Sequence, residues 1–175
     1  MPEHRPAAEV VIRAYEPADL ERVRWLFART PPWGRTYPRP QALPDDLEDI
    51  SGNYPDGAFV ALQQDMAGEA LVGFTAVSLI SREEKKDLPE FAPRRETFSR
   101  IHWVSVAPER WRLGIGRKLT QVSVDWSRER GCESVILETT VQQEAAVALY
   151  EAMGFQRLGI SQDGPWRQVW LELVL

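Results

Sequence analysis

One stretch, VAPERWRLGIGRKL at residues 106–119, constrains the fold more than any other part of the sequence. The β-prone run RIHWVSV ends at Val106, and from Ile115 onward the apolar residues recur at helical spacing. Gly114 and Gly116 lie between them among basic side chains. A helix N-terminus carries unpaired N–H groups, and glycines allow an anion to approach that backbone closely. The stretch therefore predicts a phosphate-binding loop between a strand and a helix.

Two common phosphate loops do not fit this spacing. The dinucleotide fingerprint G-x-G-x-x-G fails at its third glycine, where Leu119 stands, and its turn would follow the strand directly. Glu138 does lie near the ~20-residue distance at which that fingerprint expects an acid. The Walker-type loop fails because no Gly-Lys-Ser/Thr sequence occurs. A nucleotide-binding oxidoreductase is therefore disfavoured.

Two motifs, in this order, resemble those of the GNAT superfamily of N-acetyltransferases. The first is a strand ending in Val-x-Pro followed by Gln/Arg-x-x-Gly-x-Gly/Ala. Residues 106–108 and 113–116 match it, with Trp111 at the Gln/Arg position. The second, Asn-x-x-Ala-x-x-Leu-Tyr-x-x-x-Gly-Phe, is matched from residue 143 to 155, with Gln143 in place of Asn. The resemblance extends over residues 10–175 in the order of elements and is sharpest over 101–155.

The resemblance implies acetyl-CoA as a cosubstrate. Its pyrophosphate would lie on the backbone N–H groups of residues 112–117, and its pantetheine arm along the main chain of residues 104–106. A main-chain N–H near Val106 would polarise the thioester carbonyl and hold the developing oxyanion. The residues expected to contact the cofactor are Val104, Val106, Arg112, Leu113, Gly114, Ile115, Gly116, Arg117, Lys118 and Gln143.

The implied reaction is the direct attack of a primary amine on the thioester within a ternary complex. The motif tyrosine, Tyr150, would protonate the departing thiolate, since a phenol with a pKa near 10 can do so. His102 is the expected base, because strand alternation places it on the face of Val106 and its ordinary pKa of about 6.5 suits proton removal. Glu96 is a second candidate. Simple packing is the alternative role for both Tyr150 and His102.

The remaining segments predict an α/β fold with a mixed, mostly antiparallel central sheet of about 6–7 strands and helices on both faces. At 175 residues the chain is expected to form a single domain over residues 1–175. Residues 81–98 are charged, contain two prolines and predict a loop. The C-terminal run WLELVL could pair across a homodimer or lie within the sheet of a monomer.

Charge and composition limit the partners. The net charge of -5, from 21 Lys+Arg and 26 Asp+Glu, argues against a nucleic-acid binder. No apolar stretch has the length of a membrane span or of a signal peptide, so a cytoplasmic protein without membrane contact is expected. One cysteine and two histidines offer no multi-cysteine or histidine metal site, and no metal is expected.

The sequence says less about the acceptor than about the fold or the cofactor. Residues 40–69 hold seven acidic side chains and no Lys or Arg, which hints at a cationic amine on a small molecule or peptide, although solvated surface explains them as well. Trp33, in a proline-rich loop, is the expected acceptor contact. Further candidates for a cation cage are Trp111 and Trp166, whereas Trp103 and Trp170 are expected in the core.

A second function is compatible with the same motifs, namely a non-catalytic acyl-CoA-binding or regulatory domain with the same fold. The two departures from the motifs, at Trp111 and Gln143, favour this alternative. The retained tyrosine, Tyr150, opposes it.

Overall fold

The computed structural model describes residues 9–30, 44–65 and 68–175. The strands are β1 (Val10–Ala14), β2 (Ala58–Asp65), β3 (Gly68–Leu79), β4 (Phe98–Val106), β5 (Ser134–Thr140), β6 (Gln156–Asp163) and β7 (Trp166–Val174). The helices are α1 (Leu20–Arg29), α2 (Asp45–Glu48), α3 (Ile50–Asn53), α4 (Glu84–Asp87), α5 (Ile115–Glu129) and α6 (Glu144–Ala152). Single 3-10 turns precede α1 and α5, at Pro17–Asp19 and Pro108–Arg110.

The strands form one seven-stranded sheet in the order β1-β2-β3-β4-β5-β7-β6. Neighbouring strands are antiparallel except β4 and β5, which run parallel. A parallel pair requires a crossover connection, and α5 provides it. The C-terminal strand β7 lies inside the sheet, between β5 and β6. The prediction of a mixed, mostly antiparallel sheet is confirmed.

The helices cover both faces of this sheet. On β3, the Thr75 hydroxyl lies 3.1 Å from the Ser123 hydroxyl of α5. The adjacent residue Phe74 packs edge-on against Phe27 of α1, with ring centroids 5.8 Å apart. Consecutive side chains of a strand point to opposite faces, so α1 and α5 lie on opposite sides. We call these sides the α1 face and the α5 face.

The helices dock through apolar stripes that their sequences predict. On α1, Val23, Leu26 and Phe27 recur at helical spacing and are buried. On α5, Ile115 and Leu119 begin a similar buried stripe, and the helix is followed by Gly131 with a left-handed φ of 69°. None of the helices in the described ranges is long and apolar enough to cross a bilayer.

The segment before β4 differs from the predicted loop. Reciprocal hydrogen bonds between Ser81 and Glu84, of 2.8 and 3.2 Å, precede the short helix α4, because a Ser-x-x-Glu pair satisfies the first N–H groups of a helical turn. The segment then packs on the sheet. The Phe91 ring lies only 2.7 Å from the position that a Cβ on Gly159 of β6 would take. Glycine at that position therefore makes room for the ring.

Candidate active site

A β-bulge in β4 determines which side chains reach the centre of the sheet. The ladder between β3 and β4 pairs Ile101 and Trp103 but skips His102, so the strand carries one extra residue. His102 and Trp103 consequently both face α1. Val106 faces α5, where its Cγ2 atom lies 3.9 Å from the position of a Cβ on Gly116. The prediction that His102 shares the face of Val106 is therefore wrong, because the bulge reverses the alternation.

Beyond the bulge, β4 and β5 separate. Their parallel pairing ends at Ile101 and Leu137. Within the described ranges, β5 from there pairs only with β7, and residues 103–106 of β4 pair only with β3. A cleft of about 1280 Å³ lies between the two strands. One edge of the β4 backbone thus offers hydrogen-bonding groups to whatever occupies the cleft.

The loop before α5 closes one end of the cleft. Arg112 and Gly114 both have left-handed backbone conformations, with φ of 66° and 79°. Helix α5 starts at Ile115, and its N-cap residue Gly114 has no side chain to cap it. Left-handed residues turn successive N–H groups toward a common point, and the helix dipole adds partial positive charge there. This end of the cleft is suited to an anion.

Tyr150 borders the cleft from α6. Its side chain is buried and packs against Phe155, with ring centroids 5.9 Å apart. Burial, and secondarily the negative charge of Glu138, raises the pKa of the phenol. The hydroxyl therefore keeps its proton at neutral pH and is available as a donor.

Glu138 borders the cleft on β5, one residue beyond the last pair with β4. Its carboxylate accepts a 3.0 Å hydrogen bond from Nε of Arg100 and a second bond from the same guanidinium. That guanidinium stands 5.2 Å from the centre of the Trp170 ring. Sequence reasoning gave Glu138 no role in acyl transfer. The signal was a charged residue at the end of the buried strand SVILE, where an ionised group requires a partner.

Comparison with known proteins identifies the family. The sequence profile described as acetyltransferase (GNAT) family matches residues 20–155. The chain belongs to the GNAT family. The resemblance stated from the two motifs is confirmed.

The relatives and neighbours agree with this assignment. The chain is 31% identical over 137 residues to N-acetyltransferase family 8 member 3 of Rattus norvegicus, covering 77% of this chain and 54% of that protein. It is 31% identical over 121 residues to Probable N-acetyltransferase family 8 member 5 of Mus musculus, covering 68% and 48%. The chain thus spans about half the length of the curated relatives it matches.

The fold has solved counterparts. The crystal structure of Arabidopsis thaliana NAA60 in complex with acetyl-CoA superposes with a TM-score of 0.73 at 17% sequence identity. The match covers 95% of this chain and 99% of that chain. This likeness confirms that the sheet and helices form the GNAT fold.

Most of the predicted site residues border the cleft. They are His102, Val104, Val106, Arg112, Gly114, Ile115, Gly116, Arg117, Gln143 and Tyr150. Leu113 and Lys118 do not border it, and both side chains are exposed. Trp33 lies outside the described residues. Trp166 borders the cleft, whereas Trp170 is buried in the core as predicted.

The two departures from the GNAT motifs both form hydrogen bonds through their side chains. The indole N–H of Trp111 donates to the carbonyl of Val106 over 2.8 Å and ties the loop to the end of β4. The side-chain oxygen of Gln143 accepts from the hydroxyl of Thr139. The main-chain carbonyl of Gln143 also accepts a hydrogen bond from the N–H of Val147 at 3.1 Å. Gln143 therefore braces the turn between β5 and α6.

The two predicted bases have different surroundings. The Nε2 atom of His102 lies 2.9 Å from the Ser78 hydroxyl, and the Tyr54 ring lies 5.2 Å away. Burial, followed by the positive charge of Arg100, lowers the pKa of His102 to about 4. His102 is therefore neutral at neutral pH. Glu96 does not border the cleft, and its carbonyl accepts the Lys85 ammonium at 2.6 Å.

Neighbouring arginines pair with part of the acidic segment. Three of its carboxylates form ion pairs, namely Glu48 with Arg24, Asp56 with Arg130 and Glu69 with Arg22. Asp46 accepts the Tyr54 hydroxyl at 2.5 Å and the Trp103 indole N–H at 2.6 Å. These four acidic side chains therefore have partners within the protein, which weakens the hint of a cationic acceptor. Within the described ranges, no group of three or more His, Cys, Asp or Glu side chains is arranged to hold a metal ion.

Proposed function

We propose that the chain is an N-acetyltransferase that transfers the acetyl group of acetyl-CoA to a primary amine. The observation that carries this proposal is the cleft between β4 and β5, which connects an uncapped helix N-terminus to the buried phenol of Tyr150. One end is suited to a pyrophosphate and the other supplies a proton. The names of the relatives support the same activity.

The residues present fit the cofactor. The N–H groups of residues 112–117 would bind the pyrophosphate, with Arg110, Arg112 and Arg117 adding charge at the edge of the cleft. The free edge of β4 would pair with the amide groups of the pantetheine arm, as an added strand does. Several buried polar atoms that border the cleft have no hydrogen-bond partner in the described structure, as expected for a site that is completed by a ligand.

Acetyl-CoA supplies an activated thioester. The amine nitrogen forms a bond to the acetyl carbon, and the carbon–sulfur bond breaks. A main-chain N–H near Val106 would hold the oxyanion, and Tyr150 would donate its proton to the departing sulfur. The protein's contribution is therefore to orient the two substrates, to stabilise the oxyanion and to move two protons.

We assign the second proton, which the amine loses, to the carboxylate of Glu138. The choice rests on position, because the Nε2 atom of His102 lies 2.9 Å from the Ser78 hydroxyl and so already has a hydrogen-bond partner. Glu138 borders the cleft, and its charge acts on Tyr150. His102 would then be a neutral contact on the acceptor side. The acceptor is an amine on a small molecule or a peptide. The cytoplasmic location and the possible homodimer stay predictions.

Calorimetric titration tests the cofactor directly. We expect micromolar binding of acetyl-CoA and no binding of NAD or ATP. Arg117→Ala should weaken acetyl-CoA binding. Arg128→Ala should leave it unchanged, because Arg128 lies on the same helix, pairs with Asp125 at 3.1 Å and does not border the cleft. Release of free thiol in the presence of a panel of primary amines then tests the transfer. Absence of acetyl-CoA binding would overturn the proposal.

A further inference from the structure

Buried polar atoms without a hydrogen-bond partner concentrate at the cleft. In the described part of the chain they include the Oγ1 atoms of Thr30 and Thr140, the Oγ of Ser105 and the Nε of Arg110, all from residues that border the cleft. The hydroxyl of Ser134 is equally buried and unpartnered but lies outside the cleft. A buried polar group without a partner destabilises a fold, so its presence at a cleft indicates a group supplied by a ligand.

Two of these hydroxyls, those of Thr30 and Ser105, lie on the α1 face. Thr30 follows Val23, Leu26 and Phe27 along the sheet-facing stripe of α1 and is 8% exposed. Ser105 is 3% exposed and pairs across the ladder with Phe74, whose ring packs on α1. Residues directly opposite in an antiparallel pair point to the same face, so Ser105 also points toward α1.

This is the side of the cleft away from the phosphate loop. The loop lies at the α5 face, where Val106 approaches Gly116, whereas Ser105 and the neutral His102 face α1. A cofactor held at the loop therefore leaves the α1 face for the second substrate. A hydroxyl is both a donor and an acceptor, which matches the C=O and N–H of an amide, and neither hydroxyl is paired with a charged side chain in the described structure.

We propose that the hydroxyls of Thr30 and Ser105 form a subsite for an amide group next to the amine that is acetylated. The inference rests on the proposed acetyl transfer and narrows its acceptor to amines that carry an amide, as the N-terminal residue of a peptide does. The pantetheine arm of CoA also contains amides. The test therefore separates an amide of the acceptor from one of the cofactor.

The variants are Thr30→Val and Ser105→Ala, with Ser134→Ala as the matched control. Each removes one unpartnered buried hydroxyl, so each is expected to raise the melting temperature of the free protein by about 2–6 °C. A stability gain shared by all three variants shows that they fold. It also shows that these hydroxyls serve no purpose in stabilising the free protein.

Binding is measured by calorimetry with three probes. One is CoA itself. The other two are conjugates in which an acetyl bridge joins the CoA sulfur to the nitrogen of alaninamide or of 3-methylbutan-2-amine, which replaces the amide by an isopropyl group of similar shape. Wild type should bind the amide conjugate about 5- to 30-fold more tightly than the alkyl conjugate. Thr30→Val and Ser105→Ala should each lose most of this preference, and Ser134→Ala should keep it.

Each outcome has a distinct meaning. Weaker binding of CoA itself by Thr30→Val and Ser105→Ala, but not by Ser134→Ala, would assign the subsite to the pantetheine arm and overturn the acceptor assignment. Equal affinity of wild type for the two conjugates, with CoA binding unaffected by the variants, would overturn the subsite altogether. Failure of wild type to bind CoA would instead remove the proposed function, so the two failures are distinguishable.

Discussion

The two sides of the cleft differ in the groups that they offer to a ligand. On the α5 face, the loop around Gly114 offers backbone N–H groups, held by left-handed residues and a helix start. On the α1 face, the polar groups come from side chains such as His102 and Ser105, and a bulge in β4 determines where these side chains point. A backbone site depends on φ angles, and glycines in the sequence indicate where unusual φ angles occur. A side-chain site depends on strand register, which no residue type in the sequence indicates.

The largest effect is expected at Tyr150, which packs on the α5 face and borders the cleft. Tyr150→Phe removes the proton donor but keeps the ring and its packing on Phe155. We expect kcat to fall by about 10²- to 10⁴-fold, with the Kd for acetyl-CoA within about twofold of wild type. Steady-state kinetics and calorimetric titration would measure the two quantities. An unchanged kcat would show that the phenol only packs, which is the alternative role given to Tyr150 in the sequence analysis.

The next effect distinguishes the two candidate bases. Glu138→Gln is nearly isosteric and removes the carboxylate, so we expect kcat to fall by about 100-fold. His102→Gln keeps a partner for the Ser78 hydroxyl and should lower kcat by less than about tenfold, because the Nε2 atom of His102 is already engaged with that hydroxyl. The measurement is the kcat of both variants across pH.

Glu138→Gln requires a stability control, because it leaves the Arg100 guanidinium without its charged partner. The double variant Arg100→Met/Glu138→Gln removes both members of the pair. If the double variant retained a wild-type kcat, Glu138 would not be the base. A larger loss in His102→Gln than in Glu138→Gln would return the role to the histidine.

The motifs made the α5 side of the site predictable. Gly114, Gly116 and Tyr150 lie at the cleft because their spacing defines a loop, a helix start and one face of a second helix. The sequence also indicated the order of strands and main helices along the chain, since most of them are separate apolar or amphipathic runs. These features are local, so a short window of sequence contains the physical reason for them.

The α1 side was less accessible to sequence. Alternation placed His102 wrongly because a bulge adds one residue without any marker such as glycine in β4. The position of Glu138 at the cleft, beside Arg100, could not be predicted because it depends on where β4 and β5 separate. Ser105 and Thr30 were not predicted, since the absence of a hydrogen-bond partner is a property of three-dimensional neighbours.

A smaller effect concerns stability on the α1 face. The folded protein holds the pKa of His102 near 4, below the ordinary 6.5, so the unfolded chain binds the proton more readily. The contribution of neutral His102 to the free energy of unfolding is therefore fully present above pH 6.5 and is lost as pH falls toward 4. Between pH 7 and pH 4.5, wild type should lose about 2 kcal/mol more unfolding free energy than His102→Gln. Urea unfolding at both pH values measures this difference, and equal losses in the two proteins would contradict it.

The smallest effects test the backbone character of the α5 face. Gly114 has a φ of 79° and open space where a Cβ would stand, so Gly114→Ala introduces strain without a clash. We expect it to destabilise the fold by about 1 kcal/mol. Arg112 has a φ of 66°, and Arg112→Gly should relieve strain and stabilise the fold by about 0.5 kcal/mol.

Thermal unfolding measures both of these changes, and calorimetry gives the accompanying affinities for acetyl-CoA. If the loop binds the pyrophosphate through its N–H groups, Arg112→Gly should weaken binding only at low salt, because the charge it removes is exposed and screened at high salt. Gly114→Ala should weaken binding at every salt concentration, since it alters the direction of the N–H groups themselves. The reverse pattern would mean that side-chain charge, rather than backbone conformation, holds the anion on this face. The contrast between the two sides of the cleft would then be lost.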